Sequence, residues 1–226
     1  MRTDALRAQV DRWSCLGARA APRARGERLF HPRGECFTGQ FRPSADAPVE
    51  LEASACHVRL SKGLGLGGSL PDALGISVRF LEPRPWDVLL ISIASAGPLG
   101  RLVPVPAVSW TGPAFSTLMP YRSPGSGLAW FHARAANDRR IPCRRGALSA
   151  AVAERPLELV LGSGGTDGYR AIGSLLLTMP VNAQWSFDPV LHDRAGWSLA
   201  LAWLATMRAG AYRGSRSARG AAVTGR

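Results

Sequence analysis

The stretch VELEASACHVRLS, residues 49–61, alternates apolar and polar side chains along its length. Alternation with a period of two predicts a β-strand with one buried face. Further short apolar or β-branched runs flank it at residues 35–41, 75–80, 86–93, 128–135, 157–161 and 169–178. No segment of helical length separates these runs, which disfavours a parallel sheet with crossover helices. We therefore expect a mainly β, α+β fold, an antiparallel barrel or sandwich with helical ends.

The chain divides into three predicted regions. These are a basic helix with an Ala/Pro/Arg linker (residues 1–28), a barrel domain with a C-terminal helix (29–212) and a basic disordered tail (213–226). Asp193 is positioned to cap the last helix, predicted over residues 195–211. Inside the barrel domain, the glycine-rich residues 63–69 predict a loop. Residues 96–127 carry six prolines and predict a long irregular segment.

Composition narrows the class of protein. With 226 residues and 46% apolar side chains, the chain is long enough for one sizeable core, and a wholly disordered protein is excluded. No apolar run reaches the roughly 18 residues of a membrane span, and the first residues lack the apolar stretch of a secretory signal. We expect a cytoplasmic protein. Its four cysteines, Cys15, Cys36, Cys56 and Cys143, have no zinc or Cys-x-x-Cys spacing, which predicts free, reduced thiols.

The net charge of +12 lies mainly at the two ends of the chain. Residues 1–28 carry +4, residues 208–226 carry +5, and the long middle part carries only +3. Lys62 is the only lysine beside 27 arginines, which indicates a GC-rich genome more than a selected binding surface. Basic ends are typical of solubilising tails. We predict no specific nucleic-acid binding.

Four motifs occur in series in the first half of the chain. Residues 29–39 read LFHPRGECFTG, residues 57–61 read HVRLS, residues 71–80 read PDALGISVRF and residues 85–89 read PWDVL. In this order the chain resembles the haem-dependent catalase superfamily, which carries H-[AP]-[RK]-G-x-x-x-x-G, V-R-F-S, D-x-R-G-x-A-[LV]-[KR]-F and W-D-L. The resemblance implies a catalase-like β-barrel with haem as its cofactor. More loosely, the chain is similar to small trimmed catalase-like proteins of actinobacteria, some of which are labelled phosphodiesterase.

The resemblance also implies roles for particular residues. His31 falls on the distal catalytic histidine, which transfers a proton between the two oxygens of a peroxide. Ser61 falls on the serine that hydrogen-bonds and orients that histidine. Arg59 falls on an arginine that pairs with a haem propionate, for which a guanidinium is well suited. Gly34 falls on a glycine that lets the chain pass close to the macrocycle.

A proximal haem ligand is predicted near the end of the chain. Catalases use a tyrosinate in the pattern Arg-x-x-x-Tyr, in which the arginine lowers the pKa of the phenol. Here Arg208 precedes Tyr212 by four residues, a spacing that places both on one face of a helix. The resemblance therefore implies Tyr212 as the iron ligand and Arg208 as its partner.

Two departures from the family pattern bear on the activity. Residues 86–88 are followed by Leu89 and Leu90, where catalases have Gly-Asn-Asn and so a distal asparagine. Leu74 stands where the family has arginine, and the chain is shorter than a catalase. The departures favour a peroxidase-type reaction with hydrogen peroxide or an organic peroxide over efficient dismutation.

Two other functions remain open. A barrel without haem would bind an apolar ligand in its cavity or fill that cavity with side chains. His192 and Asp193 resemble a fragment of a metal-dependent phosphodiesterase site, although a dipeptide is more typical of a turn. A homo-oligomer is compatible with either function.

Overall fold

The computed structural model describes residues 33–47, 51–97, 99–123, 127–165, 168–189, 191–194 and 196–200. Eleven strands occur in this part of the chain, together with one α-helix and one 3-10 turn at Gly100–Leu102. The strands are β1 Arg33–Pro43, β2 Ser54–Lys62, β3 Asp72–Phe80, β4 Trp86–Ile93, β5 Pro106–Ala107, β6 Ala114–Ser116, β7 Tyr121–Ser123, β8 Gly127–Ala135, β9 Leu157–Gly164, β10 Arg170–Val181 and β11 Ser198–Leu199. The helix, α1, covers Ala147–Glu154.

Eight of the strands close into an antiparallel barrel. The order is β1-β2-β3-β4-β6-β8-β9-β10, and β10 pairs back onto β1. Closure leaves none of these strands with an open edge, which removes a site of unwanted strand pairing. The mainly β, α+β barrel predicted from the sequence is confirmed.

Alternation along the strands separates an inner and an outer face of the barrel. Cys56, Val58 and Leu60 of β2 are at most 1% exposed and belong to the core, as do their counterparts on β3 and β4. Because neighbouring side chains of a strand point to opposite faces, His57, Arg59 and Ser61 lie on the outer face. The core is therefore inside the barrel, and the polar motif residues of β2 are outside it.

An aromatic cluster closes one end of the barrel. Trp86, Tyr121, Phe131 and Trp197 are all buried, and their ring centroids lie 5.3–6.4 Å apart in edge or tilted contacts. Trp197 comes from the last described segment of the chain. The cluster thus fastens that segment to the barrel end by apolar burial.

Two expectations about local structure are wrong, and one helix was not predicted. Residues 96–127 are not uniformly irregular, because they contain β6, which completes the barrel between β4 and β8. The helix expected over residues 195–211 does not start there, since Ser198–Leu199 pair with β7 as β11. The helix α1 was not expected; its N-terminal amides at Gly146 and Ser149 donate to the Glu35 carboxylate of β1. The predicted N-terminal helix (residues 1–28), and residues 201–226, lie outside the described residues.

Candidate functional site

Three of the residues that the resemblance assigns to the haem site lie together on the outer face of β1 and β2. Gly34 is the ladder partner of Ser61, and Arg59 pairs with Cys36, two residues further along β1. Arg59 is 7% exposed and Ser61 is 2% exposed. A Cβ atom on Gly34 would come within 2.8 Å of the Arg59 guanidinium carbon and of the Leu60 carbonyl oxygen. The guanidinium therefore lies directly over Gly34, in space that only glycine leaves.

The chemistry of this group fits the edge of an anionic macrocycle. A guanidinium presents parallel N–H donors to a carboxylate such as a propionate. Gly34 allows the backbone and the Arg59 side chain to approach closely, and Ser61 adds a hydroxyl beside them. His31, Arg208 and Tyr212 lie outside the described residues, so the distal imidazole and the proximal phenol stay predictions.

The inside of the barrel has little free space. The void lined by Val78, Phe80, Trp86, Phe131 and Ile172, among others, measures only about 10 Å³. That is about the size of a single water probe, and an eight-stranded barrel is just wide enough for its side chains to fill. Within the described part of the chain, the barrel interior is therefore a packed core with no room for a lipid-like ligand.

A buried ion-pair cluster, not anticipated from the sequence, connects β3, β4 and the C-terminal part of the chain. Asp87 is completely buried, and both of its oxygens accept hydrogen bonds of 2.7 Å from Arg79. Its Oδ2 also accepts the backbone N–H of Asp188 at 2.6 Å and lies 3.0 Å from His192 Nδ1. The backbone N–H of Asp87 donates to the His192 carbonyl oxygen. The cluster fastens residues 182–189 and 191–194, here called the strap, to the outer face of the barrel.

The hydrogen bonds of Arg79 indicate that the Nδ1 atom of His192 carries a hydrogen. Arg79 Nη2 has two hydrogens, one directed to Asp87 Oδ2 at 2.7 Å and the other to the Ser186 carbonyl at 2.6 Å. No hydrogen remains for His192 Nδ1, which lies 2.9 Å away. We therefore assign the imidazole proton to Nδ1, which donates it to Asp87.

His57 of β2 extends this polar cluster along the outer face of the barrel. His57 pairs with Arg79 and Arg79 with Asp87, so the three side chains lie side by side on the outer face. The ring of Trp185, from the strap, stacks on His57 at 3.9 Å with an interplanar angle of 7°. Burial and the nearby Arg79 charge lower the pKa of His57. The side chains of His57, Arg79 and Asp87 therefore form the surface against which the strap packs.

A second buried polar group lies on the outer face of β6 and β8. His132 is 7% exposed, its ring stacks on Tyr169 at 4.5 Å, and the Tyr169 hydroxyl is 3.2 Å from Ser116 Oγ. Its Nε2 has no hydrogen-bond partner among the described residues. Burial, and to a smaller extent the charge of Arg134, lower the pKa of His132 to about 4. The imidazole is therefore neutral near pH 7.

A groove lies at the turn between β3 and β4. It measures about 300 Å³ and is lined by Phe80, Glu82, Pro83, Arg84, Trp86 and Arg194. The rings of Phe80 and Trp86 are stacked 5.1 Å apart, and the Arg194 guanidinium lies 5.7 Å from the Trp86 ring. The groove therefore combines an aromatic wall with positive charge.

The described residues contain no cluster of three or more His, Cys, Asp or Glu side chains able to hold a metal ion. His192 packs on Asp87 through Nδ1, and Asp193 is exposed. Of the two residues that suggested a phosphodiesterase, His192 thus helps to hold the strap on the barrel, and Asp193 is exposed on the strap.

None of the described helices has the length and apolar character needed to cross a membrane. A scan against protein-family models found no match, and neither did a search of curated proteins.

Proposed function

We propose that this protein binds haem on the outer face of β1 and β2 and reduces peroxides by a peroxidase-type reaction. The observation that carries the proposal is the grouping of Gly34, Arg59 and Ser61. The resemblance implies that Gly34 and Arg59 contact the cofactor and that Ser61 orients the catalytic histidine; their motifs lie some 25 positions apart in the sequence, and the residues are neighbours in the structure. The proposal rests on the resemblance to catalases together with this grouping.

Each residue has a defined task in this proposal. Arg59 would pair with a propionate, and Tyr212 would hold the haem iron, with Arg208 stabilising its phenolate. Bound haem supplies the redox chemistry of the peroxide cleavage. His31 would move a proton between the two oxygens of the peroxide, and Ser61 would hold the imidazole in orientation.

The outer face next to Arg59 favours an organic peroxide as substrate. In the register of β2, β3 and β4, Arg59 pairs with Ser77, and Ser77 pairs with Leu89. Leu89 lies on the outer face, since it alternates with the buried Val88 and Leu90. An apolar side chain here, and the lack of a distal asparagine, suit an apolar peroxide better than efficient dismutation of hydrogen peroxide.

The first test is an absorption spectrum of the protein expressed with excess haem and then desalted. We expect a stoichiometric Soret band with high-spin, tyrosinate-type features. Arg59→Ala should lower haem retention, whereas the matched variant Arg42→Ala, an exposed arginine of β1, should not. Tyr212→Phe should change the ligand-field bands. Wild-type protein that retains no haem would refute the proposal.

His31 is tested by kinetics. His31→Ala should leave haem bound and slow the reaction with peroxide by about 10²–10⁴-fold, the usual contribution of a positioned general acid–base group. A cumyl or alkyl hydroperoxide should be a better substrate than hydrogen peroxide. An unchanged rate in His31→Ala would remove this residue from the mechanism.

A second candidate function is ligand binding without haem, and the groove at the β3–β4 turn favours it. Its volume of about 300 Å³ lies at the small end of ligand sites. The aromatic wall and two arginines suit a small apolar molecule that carries an anionic group. Quenching of tryptophan fluorescence by such molecules, lost in Arg84→Ala, would support this function if no haem is retained.

A further inference from the structure

The glycine-rich loop between β2 and β3, residues 63–71, presents leucines to solvent. Leu64 is 66% exposed, Leu66 is 40% exposed and Leu70 is 58% exposed. Single exposed leucines are common on proteins, but three in one short loop form an apolar patch. The patch needs a physical reason, because each leucine would gain free energy from leaving water.

The loop is held in position by two buried charged residues. Asp72 is 1% exposed, and its two carboxylate oxygens accept the backbone N–H groups of Leu64 and Leu66 at 2.9 and 3.0 Å. Lys62, 6% exposed, donates to the carbonyl oxygens of Gly68 and Leu70 at 3.2 and 3.0 Å. Buried charges at both ends of the loop satisfy its backbone groups and order it with the leucines outward.

Positive charge borders the leucines. The Cys143 thiol donates to the carbonyl oxygen of Leu70, and the next two residues, Arg144 and Arg145, are exposed. The Glu35 carboxylate beside this turn accepts hydrogen bonds from Gly146 and Ser149. Together, Arg144, Arg145 and Glu35 carry a net positive charge. Val108 is 41% exposed and lies on the other side of Cys143. The backbone N–H of Cys143 donates to the Val108 carbonyl oxygen.

We propose that loop 63–71 is a membrane-docking element that inserts Leu64, Leu66 and Leu70 into the surface of an anionic lipid bilayer. The arginines at its border meet the lipid headgroups, while the leucines enter the acyl region. A protein partner fits less well, because leucine is under-represented among the residues that dominate protein interfaces. The positive border also matches an anionic lipid surface.

The test is co-sedimentation of the full-length protein with phosphatidylcholine vesicles, with and without phosphatidylglycerol. We expect binding to the mixed vesicles, and a loss of affinity of about tenfold or more in Leu64→Ser/Leu66→Ser. Arg144→Ser/Arg145→Ser should reduce the preference for phosphatidylglycerol. The matched control Leu191→Ser removes a leucine that is 59% exposed on the strap, and it should bind as the wild type does.

The basic ends of the chain also attract anionic vesicles, so the leucine variant is the discriminating one. Equal binding by wild type and Leu64→Ser/Leu66→Ser overturns the proposal, and so does a wild type that binds neither vesicle. A leucine variant that changes only the oligomeric state would assign the loop to protein contact instead. If that variant folds poorly, a polarity-sensitive label at Leu64→Cys, in a Cys15→Ser background, replaces it. Its emission should shift to the blue with mixed vesicles, and an unchanged emission overturns the proposal.

Discussion

Replacement of Asp87 by asparagine tests whether the buried cluster holds the strap on the barrel. In the wild type, one oxygen of Asp87 accepts Arg79 Nε, and the other accepts Arg79 Nη2, the Asp188 N–H and His192 Nδ1. An asparagine has nearly the same shape but only one accepting oxygen. In either orientation its NH2 group would face an N–H donor, and the positive charge of Arg79 would lose its partner.

The expected cost follows from the burial of the pair. Removing one member of a buried ion pair destabilises a protein by about 3–5 kcal/mol, because the other charge is left uncompensated. In Asp87→Asn, the Arg79 guanidinium is still 15% exposed and keeps its hydrogen bond to the Ser186 carbonyl oxygen. We therefore expect a loss near the lower end of this range, about 3 kcal/mol. At 2–4 °C per kcal/mol for a chain of this length, the melting temperature should fall by about 6–12 °C.

Urea unfolding and limited trypsin digestion measure the two parts of this prediction. The matched control is Asp193→Asn, which makes the same charge change at an exposed position of the strap and should stay within about 0.5 kcal/mol of wild type. Trypsin should cleave after Arg194 faster in Asp87→Asn than in the control. If Asp87→Asn is as stable as Asp193→Asn, the cluster does not stabilise the fold and the reasoning is refuted.

Three further predictions concern single residues. Gly34→Ala should destabilise the protein by about 1–3 kcal/mol in a urea titration and displace Arg59, because the new Cβ would lie only 2.8 Å from the Arg59 guanidinium carbon. Gly67→Ala is the control, and it should be neutral because no atom lies within 4 Å of its new Cβ. His132 has a pKa of about 4 in the folded protein and 6.5 in the unfolded chain, so between these pH values the unfolded chain binds more protons. The free energy of unfolding should therefore fall by roughly 3 kcal/mol as the pH drops from 6.5 to 4. Equilibrium unfolding at several pH values measures this fall, and an equal fall in His132→Gln would contradict the assignment. Burial raises the pKa of Cys56 to about 12, so its thiol should not react with Ellman's reagent in the native protein at pH 8 but should react in urea; rapid native labelling would contradict the packing.

The strands were predictable because their signal is local. Alternation in residues 49–61 predicts β2, and the runs at residues 75–80 and 86–93 predict β3 and β4 to within a few residues. The three residues of β6 carry too little pattern to be seen, and pairing with β4 and β8 is what makes them a strand. The helix α1 is short and rich in alanine, and its N-terminus is stabilised by Glu35, a residue more than a hundred positions away.

The candidate site was predictable only in part. Gly34, Arg59 and Ser61 were identified by their motifs, and the register of β1 and β2 brings them together. Asp87 was noticed only as part of a Trp-Asp motif, and His192 only as part of a dipeptide. A signal was present, since an aspartate in an otherwise apolar strand needs a buried partner. The identity of that partner depends on where the strap crosses the barrel.

The amino-acid sequence by itself determined the elements of this protein, because strand alternation and the glycine-rich loop depend on residues close together in the chain. It also determined which residue types are available for the proposed haem site. Only the tertiary structure decided that the barrel interior is filled, that Arg79, Asp87 and His192 share one buried cluster, and that Lys62 and Asp72 hold three leucines outward. Packing, pairing of charges and hydrogen-bond satisfaction depend on distances between segments, and closure of the barrel sets those distances.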